Sequence, residues 1–393
     1  MKNKIVTITF LLIGICFSCR NKNEAIKGET TDSGFNVIRL DPEQKIDDNF
    51  LISHLTDSIE YIPIETTDNT IIGRIGKIVH WNSNFYVLDR LTETIFCFDN
   101  KGKFLNKLQK KGLGPDEYYS ITDFCVSKSG ELWVYSSAQA FLKYDITNNQ
   151  LLKKIPTKIV AETFWIDSND TINTFIGGLP NASVFKDFPN QYAFIRLHNQ
   201  KIISKLMPYK YHDELRMKPF SNNILSVSRD SISLYDYYDN KVYTIINGQL
   251  KPQYKISYLD DEYTVSLNNT PERNKEILKH INQLELFDLI INDNIIWIKY
   301  SFKNRICSMV YLRKEKISYN IGSIIIDDLN NYLSLPTPSC ADYQGNLIGY
   351  VDPMVFKSCI IDKSTQRLKG LKVKLRGTDN PIIIKINMKK RWK

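Results

Sequence analysis

Short alternations of apolar and polar residues, separated by turn residues, run along the chain from about Ile38. Two consecutive segments, 82–108 and 129–155, share one pattern: an aromatic-rich strand, a polar turn, a strand ending in an aromatic residue and Asp, a tight turn and a Leu-rich strand. The aromatic-Asp pairs, Phe98-Asp99 and Tyr144-Asp145, lie 46 residues apart. A period of this length with three or four strands in each unit is typical of β-propeller blades.

Weaker copies of this unit follow, and they bring the total to six; they occupy residues 170–197, 231–246, 295–312 and 346–361. The pattern predicts an all-β fold, a six-bladed β-propeller with four-stranded blades. A β-sandwich with repeated hairpins would also give alternating strands and turns, but six units along most of the chain favour the propeller. Because first and last blades would otherwise expose unpaired edges, we expect residues 59–64 to pair with residues 382–386.

One segment, residues 270–287, departs from the β pattern. Thr270 suits a helix N-cap, Pro271 suits the first helical position, and apolar residues within 277–284 recur at helical spacing. We therefore expect a short amphipathic helix inserted between the fourth and fifth units. Its apolar face either packs on the propeller or lines a ligand site or partner surface.

The N-terminal segment has the features of an export signal. Lys2 and Lys4 precede an apolar run over residues 5–17, and Ser18-Cys19 ends it. These 13 residues are too few to span a hydrocarbon core as a helix, which needs about 20. The sequence thus predicts a lipoprotein signal peptide over residues 1–18 and lipidation at Cys19; the alternative is an ordinary buried element with a free cysteine. The polar residues 19–36 are predicted to form a flexible tether.

Composition agrees with a strand-rich exported protein. Tyr and Phe number 22 and 19, and β-branched residues are abundant, a bias that favours strands. The net charge of +9 arises in residues 365–393, where ten Lys or Arg face one acid. A basic tail of this kind, ending in residues 389–393, favours a solvated segment near anionic headgroups over nucleic-acid binding. Five cysteines remain after Cys19, scattered without metal-binding spacing; they are Cys97, Cys125, Cys307, Cys340 and Cys359.

Several stretches resemble the six-bladed, NHL-like β-propeller lipoproteins of Bacteroidetes. Residues 57–79 are similar to the opening strands of that family, and residues 98–124 to its most recognisable stretch. The family's glycine-rich Gly-x-Gly-Pro-Gly-Glu-Tyr motif is kept here except that Asp116 replaces the third glycine. Residues 379–389 are similar to its terminal strand, and Phe17 before Ser18-Cys19 resembles its lipoboxes. The resemblance covers roughly residues 37–388 and implies the propeller fold and export, with no catalytic residues to carry over.

The loop at residues 112–118 is the candidate ligand-binding site. Its glycines permit a close backbone approach, and its acids and aromatic ring could contact a sugar; the candidate residues are Gly112, Gly114, Asp116, Glu117 and Tyr118. The loop lacks the ending of a phosphate-binding loop. Alternatively, it only connects two blades, with the glycines serving turn geometry and Glu117 capping nearby amides.

Other motifs give no catalytic, metal or cofactor site. The five histidines do not cluster at metal spacing, and no hydrolase or dinucleotide fingerprint is present. No cofactor is expected. Propeller glycosidases do bring single carboxylates together from different blades, and this possibility stays open. Three Asp-Ser/Thr-hydrophobic triplets resemble O-glycosylation acceptors of Bacteroidetes, at Ser58, Thr171 and Ser231. Each falls at a turn that leads into a strand and is expected to be accessible; alternatively, these are unmodified turn residues.

The function expected from these features is that of an exported lipoprotein, anchored in the outer membrane and facing the periplasm. Its propeller would act as a non-enzymatic ligand-binding or interaction scaffold for a glycan, peptide or envelope protein. The alternative is a propeller hydrolase or lyase that acts on glycans, with acidic residues at the channel mouth. Nucleic acid is not an expected partner.

Overall fold

A computed structural model gives the fold of the chain. It describes residues 26–27, 29–30, 36–41, 46–137, 140–167, 170–176, 181, 192–208, 225–228, 231–236, 240–258, 270, 272, 276, 284–302, 305–322 and 324–389. The signal peptide and Cys19 predicted above lie outside these residues.

The described part of the chain is built almost entirely of β-strands. The first fifteen are β1 (Ile26–Lys27), β2 (Glu29–Thr30), β3 (Asn36–Leu40), β4 (Phe50–Leu51), β5 (Thr56–Pro63), β6 (Ile75–Trp81), β7 (Asn84–Asp89), β8 (Thr94–Asp99), β9 (Phe104–Leu108), β10 (Ile121–Val126), β11 (Leu132–Ser136), β12 (Ala140–Asp145), β13 (Gln150–Pro156), β14 (Thr163–Ile166) and β15 (Ile172–Phe175). The remaining strands are β16 (Tyr192–His198), β17 (Lys201–Pro208), β18 (Leu225–Ser228), β19 (Ser231–Asp236), β20 (Lys241–Ile246), β21 (Gln249–Tyr258), β22 (Leu284–Ile291), β23 (Ile295–Phe302), β24 (Arg305–Leu312), β25 (Ile317–Ile321), β26 (Ile325–Asp327), β27 (Tyr332–Leu335), β28 (Cys340–Ala341), β29 (Leu347–Val351) and β30 (Ile382–Met388). The helical elements of the described part include a 3-10 turn at Ile52–His54 and two α-helices, α1 (Pro353–Ser358) and α2 (Gln366–Lys374).

These strands form seven sheets, not the six blades that the sequence predicted. In strand order the sheets are I (β6-β7-β8-β9), II (β10-β11-β12-β13), III (β14-β15-β16-β17), IV (β18-β19-β20-β21-β3-β2), V (β22-β23-β24-β25-β1), VI (β28-β29-β30-β5) and VII (β27-β26-β4). Sheet VII was missed because its three strands have only two to four residues and come from two distant segments, around residues 50 and 330. The propeller with four-stranded antiparallel blades is confirmed, and the blade count is corrected to seven.

The first strands of six sheets surround a central channel. β10 contacts both β6 and β14, β18 contacts β14, β22 and β28, and β22 contacts β28. Each sheet then continues outward by antiparallel neighbours, so the second strands are buried on both faces. All five residues of β11, Leu132–Ser136, are buried for this reason. Apolar clusters between adjacent sheets hold the ring together; one of them joins Trp133 of sheet II to Trp165 and Ile195 of sheet III.

Sheet VI closes the fold by combining the two ends of the described chain. β5, near the N-terminus, pairs antiparallel with β30, near the C-terminus, in a register that places Ile62 opposite Ile383 and Ile59 opposite Ile386. The predicted pairing of residues 59–64 with residues 382–386 is therefore confirmed. Since β5 is the edge strand of the sheet, the closure uses main-chain hydrogen bonds between segments more than 300 residues apart.

Three smaller predictions need correction or comment. In the predicted helix over 270–287, Glu272 and Glu276 are helical, but Leu284 and the three residues after it belong to strand β22; Thr270 is outside any helix or strand, and the remaining residues lie outside the described part. In the predicted unit over 346–361, the second half is helix α1, because Asp352 caps it and Pro353 begins it. Within the predicted tether, β1 pairs with β25 and β2 pairs with β3.

Candidate functional site

One end of the central channel holds a charged cavity of about 300 Å³. Its wall carries three basic and three acidic side chains, which come from three of the sheets and from the segments next to strands β7 and β14: Lys77, Arg90, Asp123, Glu162, Asp288 and Lys299. Charges at such a depth require partners, since an unpaired buried charge is strongly unfavourable. The pairing of these groups therefore decides what the cavity can do.

Asp123 is the most extensively bonded of the acids. Its Oδ1 accepts a hydrogen bond of 2.7 Å from the Lys77 Nζ atom, and its Oδ2 accepts from the Thr163 hydroxyl at 2.7 Å and the Phe164 amide at 3.2 Å. Asp123 is nearly buried whereas the Lys77 side chain is partly exposed. The carboxylate thus ties the first strands of sheets I, II and III together at the cavity.

Asp288 and Lys299 form a second ion pair on the opposite part of the wall. They face each other in the register of β22 and β23, and the Lys299 Nζ atom lies 3.0 Å from Asp288 Oδ2. Both side chains are close to fully buried. A cross-strand pair of opposite charge at this depth is stable only because each group compensates the other.

Arg90 forms the outer wall of the cavity next to Lys77. Its guanidinium donates to the carbonyl oxygens of Ile121 and Thr122, at 2.5 and 3.0 Å. Gly76 leaves room for the arginine, because a Cβ atom at position 76 would lie only 2.4 Å from the Arg90 Cγ atom. The arginine is therefore fixed in place and presents a positive charge to the cavity.

A histidine–aspartate pair lies at the other end of the channel. His80 Nδ1 is 2.9 Å from Asp342 Oδ2, and both side chains are buried. The His80 ring stacks on Phe85 with 4.4 Å between ring centroids, and its Nε2 atom has no hydrogen-bond partner among the described residues. Here a cavity of about 490 Å³ is lined by His80, Trp81, Lys128 and Tyr343. Asp342 also caps its own turn by accepting from the amides of residues 344 and 346, so the pair joins sheets I and VI.

A narrow space of about 70 Å³ lies between the two ends and shares lining residues with both. Lys77 lines it together with the charged cavity, and His80 lines it together with the opposite cavity. The side chains of one strand, β6, therefore reach both ends of the channel. Cys340 also lines this space, and its thiol donates to the Ile78 carbonyl at 3.3 Å.

None of the five residues predicted to bind a ligand lines the charged cavity. The Glu117 carboxylate accepts a hydrogen bond from the Gly114 amide at 2.7 Å, within its own loop. A Cβ atom at Gly112 would lie 1.9 Å from the same carboxylate oxygen, so a side chain at this position would displace the Glu117 carboxylate. Asp116 is paired with Lys110, whose hydrogen bond to the carboxylate lowers the pKa of Asp116.

Tyr118 is completely buried beneath this loop. Its hydroxyl donates to the Glu93 carbonyl at 2.7 Å and accepts from the Lys110 amide at 3.1 Å. Burial raises the pKa of Tyr118 to about 12. Tyr119, its neighbour in the sequence, is 57% exposed. These bonds hold the connector between sheets I and II in shape, and a role of the loop in ligand contact stays a prediction.

The other predicted positions differ in accessibility. Ser58 is exposed on the edge strand β5, whereas Thr171 is buried, so the accessibility expected at Thr171 is wrong. Ser231 begins strand β19. The five cysteines of the described part form no disulfide, and Cys97, Cys125 and Cys307 are buried. In the same part, no helix has the length and apolar character needed to cross a bilayer, and no three His, Cys, Asp or Glu side chains form a group suited to a metal ion.

The residues that line the channel were missed in the sequence, although they leave a signal there. Asp123, Asp288 and Lys299 each interrupt a strand whose other residues are mainly apolar. A charged residue inside a buried strand needs a partner, and such interruptions in the first strands of two units, at Asp123 and Asp288, indicate a polar channel.

Comparison with known proteins supports the fold. A putative exported protein from Bacteroides fragilis NCTC 9343 is 16% identical, with a TM-score of 0.69 over 90% of this chain and 100% of that chain. A member of the DUF4221 family from Bacteroides vulgatus is 10% identical, with a TM-score of 0.43 over 84% of this chain and 97% of that chain. No curated protein matches the sequence. The model of a domain of unknown function, DUF4934, matches residues 35–387, and the chain therefore belongs to the DUF4934 family.

Proposed function

We propose that this protein is an exported binding protein whose propeller holds a small polar ligand in the charged cavity without transforming it. The observation that carries the proposal is the composition of the wall, in which three bases and three acids surround about 300 Å³. A wall with charges of both signs favours a ligand with both hydrogen-bond donors and acceptors, such as a saccharide unit or the end of a short peptide. Rigid concave sites with a few convergent polar groups are the usual form of ligand sites.

The arrangement of the acids favours binding over catalysis. A general acid or base must reach a substrate proton within hydrogen-bond distance. Both oxygens of Asp123 already accept bonds, from Lys77 on one side and from Thr163 and Phe164 on the other. Asp288 is held by Lys299. These two carboxylates therefore serve to order the wall of the site.

Calorimetric titration with a panel of monosaccharides, oligosaccharides and dipeptides tests the binding site. The isosteric variant Glu162→Gln, which removes one charge from the cavity wall, should weaken binding of the ligand found by at least tenfold. Glu117→Gln is the matched control in the loop predicted from the sequence, and it should leave affinity within twofold. Loss of binding in Glu117→Gln alone would instead assign the site to the loop, and turnover of any panel member would overturn the binding-only function.

We further propose that the protein is anchored through a lipid on Cys19, in the outer membrane and on its periplasmic side. The basic flank, short apolar run and terminal cysteine of residues 1–19 support the anchor. Palmitate labelling should be lost in Cys19→Ala, and processing should be sensitive to globomycin. Protease treatment of intact cells should leave the propeller uncut; digestion there would place it on the cell surface.

A further inference from the structure

The two helices between β29 and β30 carry an exposed apolar surface. Met354, Val355 and Val373 are exposed to 67, 52 and 85%. The opposite sides of the helices are anchored, since Phe356 of α1 and Leu368 of α2 are buried in the core of the closing sheet. The exposed side chains are therefore held rigidly outward, where they contribute nothing to the fold.

The same segment is strongly basic. Residues 353–376 contain seven Lys or Arg and one acid, Asp362. None of the seven forms an ion pair with another described residue; Lys357 and Lys372 instead donate to main-chain carbonyls, at 3.0 and 3.2 Å. Basic residues stand on both sides of Val373 in the sequence, at positions 372 and 374. The segment that carries the apolar residues thus has an excess of six positive charges, seven basic residues against one acid, and no ion pair among the described residues.

Met354 and the loop around Ile71 both lie next to residues 377–380. Met354 covers the turn that follows α2, since a Cβ atom at Gly377 would lie 3.2 Å from the Met354 Cγ atom. Asn380, three residues further on, bonds to the main chain on both sides of Ile71, at Thr70 and Ile72. Ile71 is itself 56% exposed. Met354 and Ile71 are therefore exposed on neighbouring parts of the surface.

We propose that this basic helical surface, formed by Met354, Val355 and Val373 with the seven basic residues of 353–376, binds the surface of an anionic lipid bilayer. Apolar side chains alternating with Lys and Arg are the composition that places a helix in the headgroup region, because the apolar groups enter the acyl boundary while the cations contact lipid phosphates. Long basic side chains suit this position, since their stems lie on apolar surface and their charges stay in water. The positive charge and the absence of ion pairs within the described residues specify an anionic partner.

Vesicle co-sedimentation tests the proposal. The chain from Arg20, which contains every described residue and lacks the lipid site, is mixed with vesicles of phosphatidylglycerol and phosphatidylcholine or of phosphatidylcholine alone. It should bind the anionic vesicles, and binding should fall as salt is raised. Each basic residue near a membrane surface contributes a factor of about five in partition, so Lys363→Glu with Lys374→Glu should weaken binding at least about 25-fold.

A matched control distinguishes vesicle binding by this local surface from binding by the overall charge of the protein. Lys201 and Lys251 are exposed on sheets III and IV, far from the helices in sequence. Lys201→Glu with Lys251→Glu changes the net charge equally and should reduce binding much less. Val373→Ser should also weaken binding, while Leu152→Ser, on the exposed strand β13, should not. Equal losses in the two charge-reversal variants, or no binding to anionic vesicles, would overturn the proposal; in the second case the surface would belong to a protein partner.

Discussion

The Tyr61 hydroxyl donates a hydrogen bond of 2.6 Å to Asp327, and this bond links the closing strand β5 to the small sheet VII. Asp327 is fully buried and also accepts from the amides of Leu329 and Asn330. Burial raises the pKa of the Tyr61 phenol, and the Asp327 carboxylate raises it further, so Tyr61 remains the donor. The small sheet is therefore attached to the ring by a buried, charge-assisted bond.

Tyr61→Phe should lower the free energy of unfolding by about 1.5–3 kcal/mol, the usual contribution of a hydrogen bond to a charged group. The variant keeps the ring that packs against Tyr332 and Phe356, so the change isolates the hydroxyl. Urea unfolding followed by tryptophan fluorescence measures the effect. Tyr119→Phe, at an exposed ring, is the control and should be neutral; equal stability of the two variants would show that Asp327 does not depend on Tyr61.

Closure by β5 should be essential to the stability of the whole ring. Deletion of residues 57–66 removes the partner of β30, whose strand would then expose its edge and its apolar residues. We expect loss of a cooperative thermal transition. A milder change, Ile384→Ala, should lower the free energy of unfolding by about 2–5 kcal/mol, because Ile384 is buried in the closing sheet. A deletion variant that melts as the intact chain does would contradict this closure.

The repeated pattern of the chain was enough to predict the propeller and its four-stranded blades, although not the number of blades. The aromatic-Asp pairs recur because the aromatic residue ends a buried strand and the aspartate then caps the turn: Asp99 accepts from the amides of Lys101 and Lys103, and Asp145 accepts from that of Thr147. The same local chemistry therefore appears once in each of these sheets. This sequence signal is strong because each copy of the aromatic-Asp pair forms the same kind of turn.

Other features could not be predicted from the repeat of the strand pattern, because each depends on a single contact between residues far apart in the sequence. Strand β4 has two residues and pairs in parallel with Ile325 and Ile326, about 275 positions away. The ion pair of Lys77 and Asp123 joins two sheets, and neither residue reveals its partner in the sequence. Helix α1 is different: Asp352-Pro353 is a recognisable helix start, but the strand-like residues before and after it favoured a hairpin.

The loop of residues 112–118 should prove more important for stability than for binding. Glu117→Ala together with Tyr118→Ala removes a buried ring and the bond to the Gly114 amide, and it should lower the free energy of unfolding by about 3–5 kcal/mol. Differential scanning calorimetry should show a clearly lower melting temperature. Tyr119→Ala, at the exposed neighbour, should change the free energy by no more than about 0.5 kcal/mol. An unchanged melting temperature with lost ligand affinity would make the loop a binding site after all.

Glu131 should make the propeller sensitive to acid in a defined range of pH. Burial opposes ionisation of this carboxylate, but hydrogen bonds from Ser127, Ser129 and Lys143 outweigh it and hold the pKa of Glu131 at about 2, below its usual 4.5. A pKa that folding lowers stabilises the native state above the unfolded value, and this contribution is lost as the pH falls towards the folded value.

The stability difference between the natural chain and Glu131→Gln should therefore be constant above about pH 4.5 and shrink as the pH falls to about 2. Urea unfolding of both chains at pH 7, 4.5, 3.5 and 2.5 measures this difference directly. Glu162→Gln, unfolded at the same four pH values, is the control: it shows how the loss of a carboxylate elsewhere in the ring changes the pH dependence of stability. The difference arises because the glutamine cannot offer a charged acceptor to Lys143, whose Nζ atom lies 3.0 Å from the Glu131 carboxylate. A difference that stayed constant down to pH 2.5 would mean that the native state does not hold Glu131 in its ionised form.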